Sequence, residues 1–304
     1  MKLKYLFTGL ISIILFSCEK TVNIKIPDSG RKLVVNSFFA EDSILKVNLS
    51  KSKYILDGES EFEPVKNAKI ILYKNNIKIE ELIDSLNGFY YGNYILKAGN
   101  KYKLEVSAKD FPTSEAESGL PLRTKIIELS GYQSMDEYGW PETAFNLTFK
   151  DDAETENYYF ISVTERRYTK YNLSEGKDTV IIDDYELNVY STDPNTFSDD
   201  WYLNKGVVLK DDLFNGKEYK LFFKAYRDFY DSNESTSVYY VKFSTISKEY
   251  YMYYISYAKH VNAQDEFFME PVQVYTNIEN GFGIFAGYST DVDSVVLENN
   301  QSPL

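Results

Sequence analysis

The stretch PVKNAKIILYKNNIKIEELIDSLNGFYYGNYILKAGNKYKLEVSAKDFP, residues 64–112, decides the fold. AKIILYK alternates apolar and polar side chains, KNN supplies a turn, and IKIEEL returns. Asn87-Gly88 marks a second turn before FYY. The LKAGN turn then feeds a strand that puts Tyr102, Leu104 and Val106 on one face. A period of two, broken by Asn and Gly where the backbone must reverse, is the signature of antiparallel hairpins with one buried face.

Working outward, the same grammar continues in both directions. KLVVNSFF (32–39) and ILKVNLSKS (44–52) read as strands upstream. Downstream the candidates are residues 143–151, 157–169, 179–192, 207–212, 218–228 and 237–246. FNGKEYKLFFKA (214–225) echoes AGNKYKLEVSA (98–108), which implies either a second sandwich or a second use of the same hairpin chemistry. One segment departs from period two. In residues 246–264, Ile246, Tyr250, Tyr253, Tyr254, Tyr257 and Val261 fall within an arc of about 100° at helical spacing, and Ser247 can act as N-cap. A helix is expected over 247–262, packed by its tyrosine face, with Tyr251 and Ile255 off that face and available to a partner. Strands are expected again over 272–297, one at VQVYT and one at GIFAGYS, separated by a turn at ENG. Gly281, Gly283 and Gly287 would let the backbone turn or approach a neighbour closely. The expected fold is therefore mainly β, with a sandwich over 31–121 and a second β-rich, sandwich-like domain over 122–304 that carries the helix.

The segment 64–112 resembles the carboxypeptidase-regulatory type of immunoglobulin-like or transthyretin-like sandwich. The matching positions are Pro64-Val65, Ala68, Gly88-Phe89-Tyr90 and the closing Tyr102-x-Leu104-x-Val106. In such modules those residues are core and turn, and the resemblance implies no catalytic role for them.

The beginning of the chain fixes a location. Lys2 and Lys4 precede an apolar run from Leu6 to Phe16, too short for a membrane span, which needs about 20 apolar residues. Leu15-Phe16-Ser17-Cys18 resembles the lipobox of bacterial lipoproteins, with Phe16 bulkier than that motif usually carries. The resemblance implies a signal peptide over 1–17, cut before Cys18, whose thiol then carries acyl chains such as palmitate. Cys18 is the single cysteine of 304 residues and so has no disulfide to form. Residues 18–30 read as a polar, lipidated tether, and Glu19 resembles the acidic start of surface-export signals.

Composition excludes several classes of function. Without Lys2 and Lys4 the mature chain holds 31 basic and 46 acidic residues, a net charge of −15, which repels nucleic acid and anionic lipid heads. One histidine and one cysteine leave no basis for a His- or Cys-dependent active site or a zinc centre. Carboxylate-only chemistry such as glycoside hydrolysis would draw on Asp151-Asp152, Asp183-Asp184, Asp199-Asp200 or Asp211-Asp212. Neighbours on a strand point to opposite faces, so such a doublet is not a catalytic pair. DDAETEN (151–157) has oxygen ligands near calcium-loop spacing but lacks the Gly and terminal Glu of an EF-hand. His260, at the edge of the helix stripe, reads as a surface or hydrogen-bonded residue. Trp140 in SMDEYGWPE and Trp201 in SDDWYLN sit in loops, where they could stack on sugars or lid a sandwich end. No cofactor is expected, and no enzymatic activity.

The lipobox, KLVVNSFF, PVKNAKIILYKN, the helix after STISKEYY and above all EPVQVYTNIENGFGIFAGYS resemble a Bacteroidota lipoprotein family catalogued as domain of unknown function 4249. Its members are commonly encoded beside TonB-dependent outer-membrane receptors. The resemblance implies a surface-facing outer-membrane lipoprotein, accessory to such a β-barrel in substrate capture, as a lid or as a scaffold. Alternatives are a role in outer-membrane protein assembly or export, and a glycan-binding or glycosidase surface lipoprotein.

Overall fold

The computed structural model describes residues 30–54, 61–173, 177–198, 205–227, 235–264, 270 and 272–299. The expected signal peptide, Cys18, Trp201 and the Asp199-Asp200 doublet lie outside them. The first eight strands are β1 (Leu33–Ala40), β2 (Ile44–Lys51), β3 (Lys69–Lys74), β4 (Ile77–Glu81), β5 (Ile83–Asp84), β6 (Phe89–Ile95), β7 (Asn100–Ser107) and β8 (Ser114–Leu120). The next six are β9 (Ile126–Met135), β10 (Pro141–Lys150), β11 (Tyr158–Leu173), β12 (Lys177–Glu186), β13 (Asn188–Tyr190) and β14 (Thr196–Ser198). There follow β15 (Val207–Lys210), a 3-10 turn (Asp211–Leu213), β16 (Glu218–Tyr226), β17 (Ser235–Ile246), helix α1 (Lys248–Gln264) and β18 (Gly281–Asn299). The protein is mainly β and sandwich-like, with one helix near the C-terminus among the described residues.

A single large sheet, ordered β14-β15-β11-β17-β18-β1-β2-β6-β5 with β12 also paired to β11, backs both sandwiches. Two four-stranded sheets cover its inner face. β4-β3-β7-β8 closes the first sandwich and β13-β16-β10-β9 closes the second. The first core gathers Val35, Leu45, Leu72, Tyr90, Tyr102, Leu104 and Val106. The second is built on Phe145, Phe149, Tyr159, Phe223 and Phe243. The tyrosines and glycines of the opening stretch serve core and turn. Tyr90 is fully buried, its hydroxyl donating to the Val65 carbonyl at 2.9 Å and accepting from Ala68 N–H. Asn87 and Gly88 both take positive φ in the turn.

Strand β18 joins the two halves. Its first eight residues pair in parallel with all of β1, and residues 288–299 pair antiparallel with β17. Ile278 and Phe285 thereby enter the first core, with Phe285 stacked on Phe39 at 4.5 Å between ring centroids. Gly283 is required here. It holds φ +103°, and a Cβ would stand 2.1 Å from the Val35 carbonyl oxygen. The connection between the sandwiches is pinned as well. Thr124 N–H donates to Thr245 Oγ1, Ile126 N–H to Asp291, and Ser289 Oγ to the Pro121 carbonyl.

Two expectations change. Residues 272–277 form no strand, and a single strand over 281–299 replaces the expected pair. The reason is that side chains take the polar groups of this segment. Tyr275 N–H donates to Ser256 Oγ, His260 Nδ1 meets the Val272 carbonyl at 2.7 Å, and Asn277 bonds both backbone groups of Phe285. Helix α1 begins where expected, with Ser247 Oγ accepting from Tyr250 N–H. Its packed face, however, is Tyr250, Tyr251, Tyr254, Ile255 and Ala258, set against Tyr158, Phe160 and Tyr288 on the outer face of the large sheet. Tyr257 is exposed.

Candidate interaction surface

The ends of the strands define two poles. Strand β18 rises from Gly281, beside Leu33, to Asn299, beside Ser235. Nineteen residues at about 3.3 Å each make it about 60 Å long. Gly30 lies at the Gly281 pole. The β9–β10 turn and the β11–β12 hairpin project at the other, because β10 runs down to the loop from which β11 climbs back.

The β9–β10 turn is locked by one carboxylate. Asp136 Oδ1 accepts N–H bonds from Tyr138 (2.9 Å) and Trp140 (2.7 Å), Asp136 N–H donates to the Trp140 carbonyl, and Gly139 supplies φ +84°. This Asx-type turn holds Tyr138 at 79% and Trp140 at 66% exposure. Tyr132 and Met135 of β9 are exposed as well, on opposite faces of the strand. Beside them, on the outer face of the small sheet, Glu142 is almost wholly buried. It accepts from the Tyr190 hydroxyl, the Lys224 ammonium and Ser134 Oγ. Burial, and then the neighbouring Glu142, push the Tyr190 phenol well above its ordinary pKa, so it remains a donor.

The second projection, β11–β12, exposes Val180, Ile181 and Ile182 in succession, so both faces of the ribbon are apolar. Arg166 grips Asp184 across the ribbon with two bonds of 2.7 Å, and this contact draws the Asp184 carboxyl below its usual range. Among the described residues β12 pairs only with β11.

Of the residues expected to make contacts, Trp140 stands free at the pole. Tyr251 and Ile255 do not: Tyr251 packs on Tyr158 at 4.7 Å and Ile255 faces the sheet. The helix lies with its 250/254/258 and 251/255 rows inward, which turns the Tyr257 side outward instead. Tyr138, Met135 and the Val180–Ile182 run went unnoticed in the sequence. Their signal was there, since Asp136 followed by Gly139 spells the turn and three β-branched residues in a row cannot all face a core.

Of the candidate carboxylates, Asp151, Asp152, Asp184, Asp211 and Asp212 have hydrogen-bond or ion-pair partners. Asp151 accepts from the Tyr159 hydroxyl, Asn157 Nδ2 (3.2 Å) and Gly216 N–H (2.7 Å). Asp211 accepts from Asn157 N–H, and burial raises its pKa. Asp212 pairs with Lys210. Among the described residues no three His, Cys, Asp or Glu side chains converge as a metal-binding group, and no helix is long and apolar enough to cross a membrane.

A family model described as "Domain of unknown function (DUF4249)" matches residues 19–294. No curated protein matches the chain. Among solved structures, a collagen adhesin from S. aureus aligns over 87% of this chain and 93% of its own at 7% identity. Its TM-score of 0.18 is too low to carry an argument.

Proposed function

Given that the chain belongs to the DUF4249 family, whose description assigns no activity, we propose that it is a non-enzymatic, lipid-anchored accessory subunit of an outer-membrane β-barrel of the TonB-dependent-receptor type. The protein hangs from the outer membrane by Cys18 and faces the cell surface. It holds the barrel, as a substrate-capturing lid or scaffold, with the pole furthest from its anchor. One observation carries this reading: Tyr138 and Trp140 stand exposed on a turn rigidified by Asp136, about 60 Å along β18 from the end at which the chain leads back to Cys18. Rigid exposed aromatics are the residues that anchor interfaces. The engagement of Asp151 and Asp211 in buried hydrogen bonds supports a binding role for that loop over a hydrolytic one.

On the outer face of the small sheet Tyr132, Lys224 and Tyr190 lie in one cross-strand row through Ala144, near Trp140, and this row favours a glycan as the captured substrate. It joins aromatic faces for stacking to fixed polar groups for hydroxyls.

The test is affinity capture of tagged protein from gently solubilised outer membranes. The wild type is expected to bring down a stoichiometric β-barrel, and Y138A/W140A to lose it at least tenfold while remaining folded and membrane-bound. Capture of no barrel after cross-linking, or equal capture by the double variant, would sink the proposal.

A further inference from the structure

The opposite pole carries a feature that neither the fold nor the proposed contact surface uses. Four extended segments end side by side there. β18 begins next to β1, Lys32 N–H donates to Ser52 Oγ beyond the end of β2, and Ser50 bridges to Pro64. Phe282 and Phe62, 43% and 59% exposed, flank this edge. Each has a lysine ammonium over its ring, Lys32 at 5.0 Å and Lys53 at 4.6 Å, and the Arg31 guanidinium lies 5.7 Å from the Tyr54 ring. The β5–β6 turn arrives at the same end, where Leu49 N–H donates to the Gly88 carbonyl. At its tip Leu86 is 66% exposed and held at φ +70°, a conformation that bulky side chains rarely adopt. Asp84 fixes it there by accepting the N–H groups of Leu86 and Asn67.

We infer that this pole is a membrane-contact surface, with Phe62, Leu86 and Phe282 seated in the interfacial layer of the bilayer and Arg31, Lys32 and Lys53 at the level of the lipid phosphates. The inference rests on the lipid-anchor reading of Cys18. Gly30 is twelve steps along the chain from Cys18, a reach of about 40 Å, so the acyl chains keep this end of the molecule near the bilayer. The charge is suited to it. The mature chain is strongly acidic, but at this pole the charges nearly balance among the described residues: Glu279, Glu115 and Asp110 lie there with Glu61, Glu63 and Asp84, Lys51 pairs with Glu63 and Lys103 with Glu115, and Arg31, Lys32 and Lys53 are the cations set beside exposed rings. Exposed aromatic and aliphatic side chains ringed by cations match a bilayer interface, where ring and alkyl surface meets acyl chains and ammonium meets phosphate. The contact fixes which way the molecule points. With the first sandwich seated, β18 carries Tyr138 and Trp140 away from the bilayer, toward whatever rises above it.

Depth-dependent quenching tests this. In the lipid-anchor reading Cys18 is blocked by its lipid, so a cysteine introduced by L86C, F62C or Y138C is the one free thiol of the full-length protein. Each lipidated variant is labelled with a polarity-sensitive fluorophore and incorporated into phosphatidylethanolamine–phosphatidylglycerol vesicles containing doxyl-labelled phosphatidylcholine. Labels at L86C and F62C are expected to shift to the blue and to be quenched several-fold more than the label at Y138C. Equal, water-like emission at all three sites in protein that floats with the vesicles overturns the contact and leaves the anchor standing. Failure of wild-type protein with an intact Cys18 to float at all overturns the anchor and the contact together.

Discussion

Replacing Phe285 with alanine tests the central feature of this architecture, that the first sandwich needs a strand from the end of the chain. Phe285 is fully buried in the core formed by residues 33–120, although 164 positions separate it from Pro121. Truncating a core phenylalanine costs about 3–5 kcal/mol, and the stack on Phe39 places this one in the middle of that range, near 4 kcal/mol. For folding units of this size that is a fall in melting temperature of about 8–16 °C. The location of the damage matters more than its size. Hydrogen exchange followed by mass spectrometry is expected to show lost protection in peptides covering β1 and β2, because β1 sits between β2 and β18 and gives up a packed neighbour. V296A on the same strand, where the side chain points to solvent, is the control and should stay within about 0.5 kcal/mol of wild type. A loss below about 1 kcal/mol for F285A, or unchanged exchange in residues 33–51, would refute the claim that β18 completes the first core.

Three further outcomes follow from single contacts. G283A forces a Cβ against the Val35 carbonyl at a positive φ and should cost at least about 1–3 kcal/mol in urea unfolding; a neutral result would mean that β1 and β18 lie further apart than described. D151A strips the acceptor from the Tyr159 hydroxyl, Asn157 and Gly216 N–H in a buried site, a loss of about 2–3 kcal/mol by thermal melt, and added calcium should restore none of it. Asp84 has its pKa lowered, first by the Asn67 N–H bond and further by that of Leu86. A depressed folded-state pKa gives stability that is complete above the unfolded value of about 3.9 and vanishes as pH falls through the lower folded value. The stability gap between wild type and D84N should therefore be flat above about pH 5 and close below about pH 4, and a gap that persists at still lower pH would contradict the assignment.

The sequence by itself determined the local structure. Strand positions followed from period-two alternation, turns from Asn-Gly and Lys-Asn-Asn, and the helix start from Ser247, because each of these is set by residues within one or two turns of chain. It also carried the family, since the run NIENGFGIFAGYS (277–289) is specific enough to recognise. β9 was missed because an edge strand has one partner and no clean inside–outside pattern to display. Only the tertiary structure decided what lay between distant segments. The expectation that residues 272–276 form a strand failed because their polar groups found Ser256, His260 and neighbouring side chains, which lie close only after α1 has docked. The face of α1 was misread for a related reason: Tyr250, Tyr251, Tyr253 and Tyr254 are chemically alike, so the sheet beneath them, and not their own spacing, selected the inward rows. The parallel pairing of β18 with β1 left no mark on composition or periodicity. Its trace is Gly283, needed because two backbones approach more closely than a side chain allows, and a lone glycine does not name the strand it approaches.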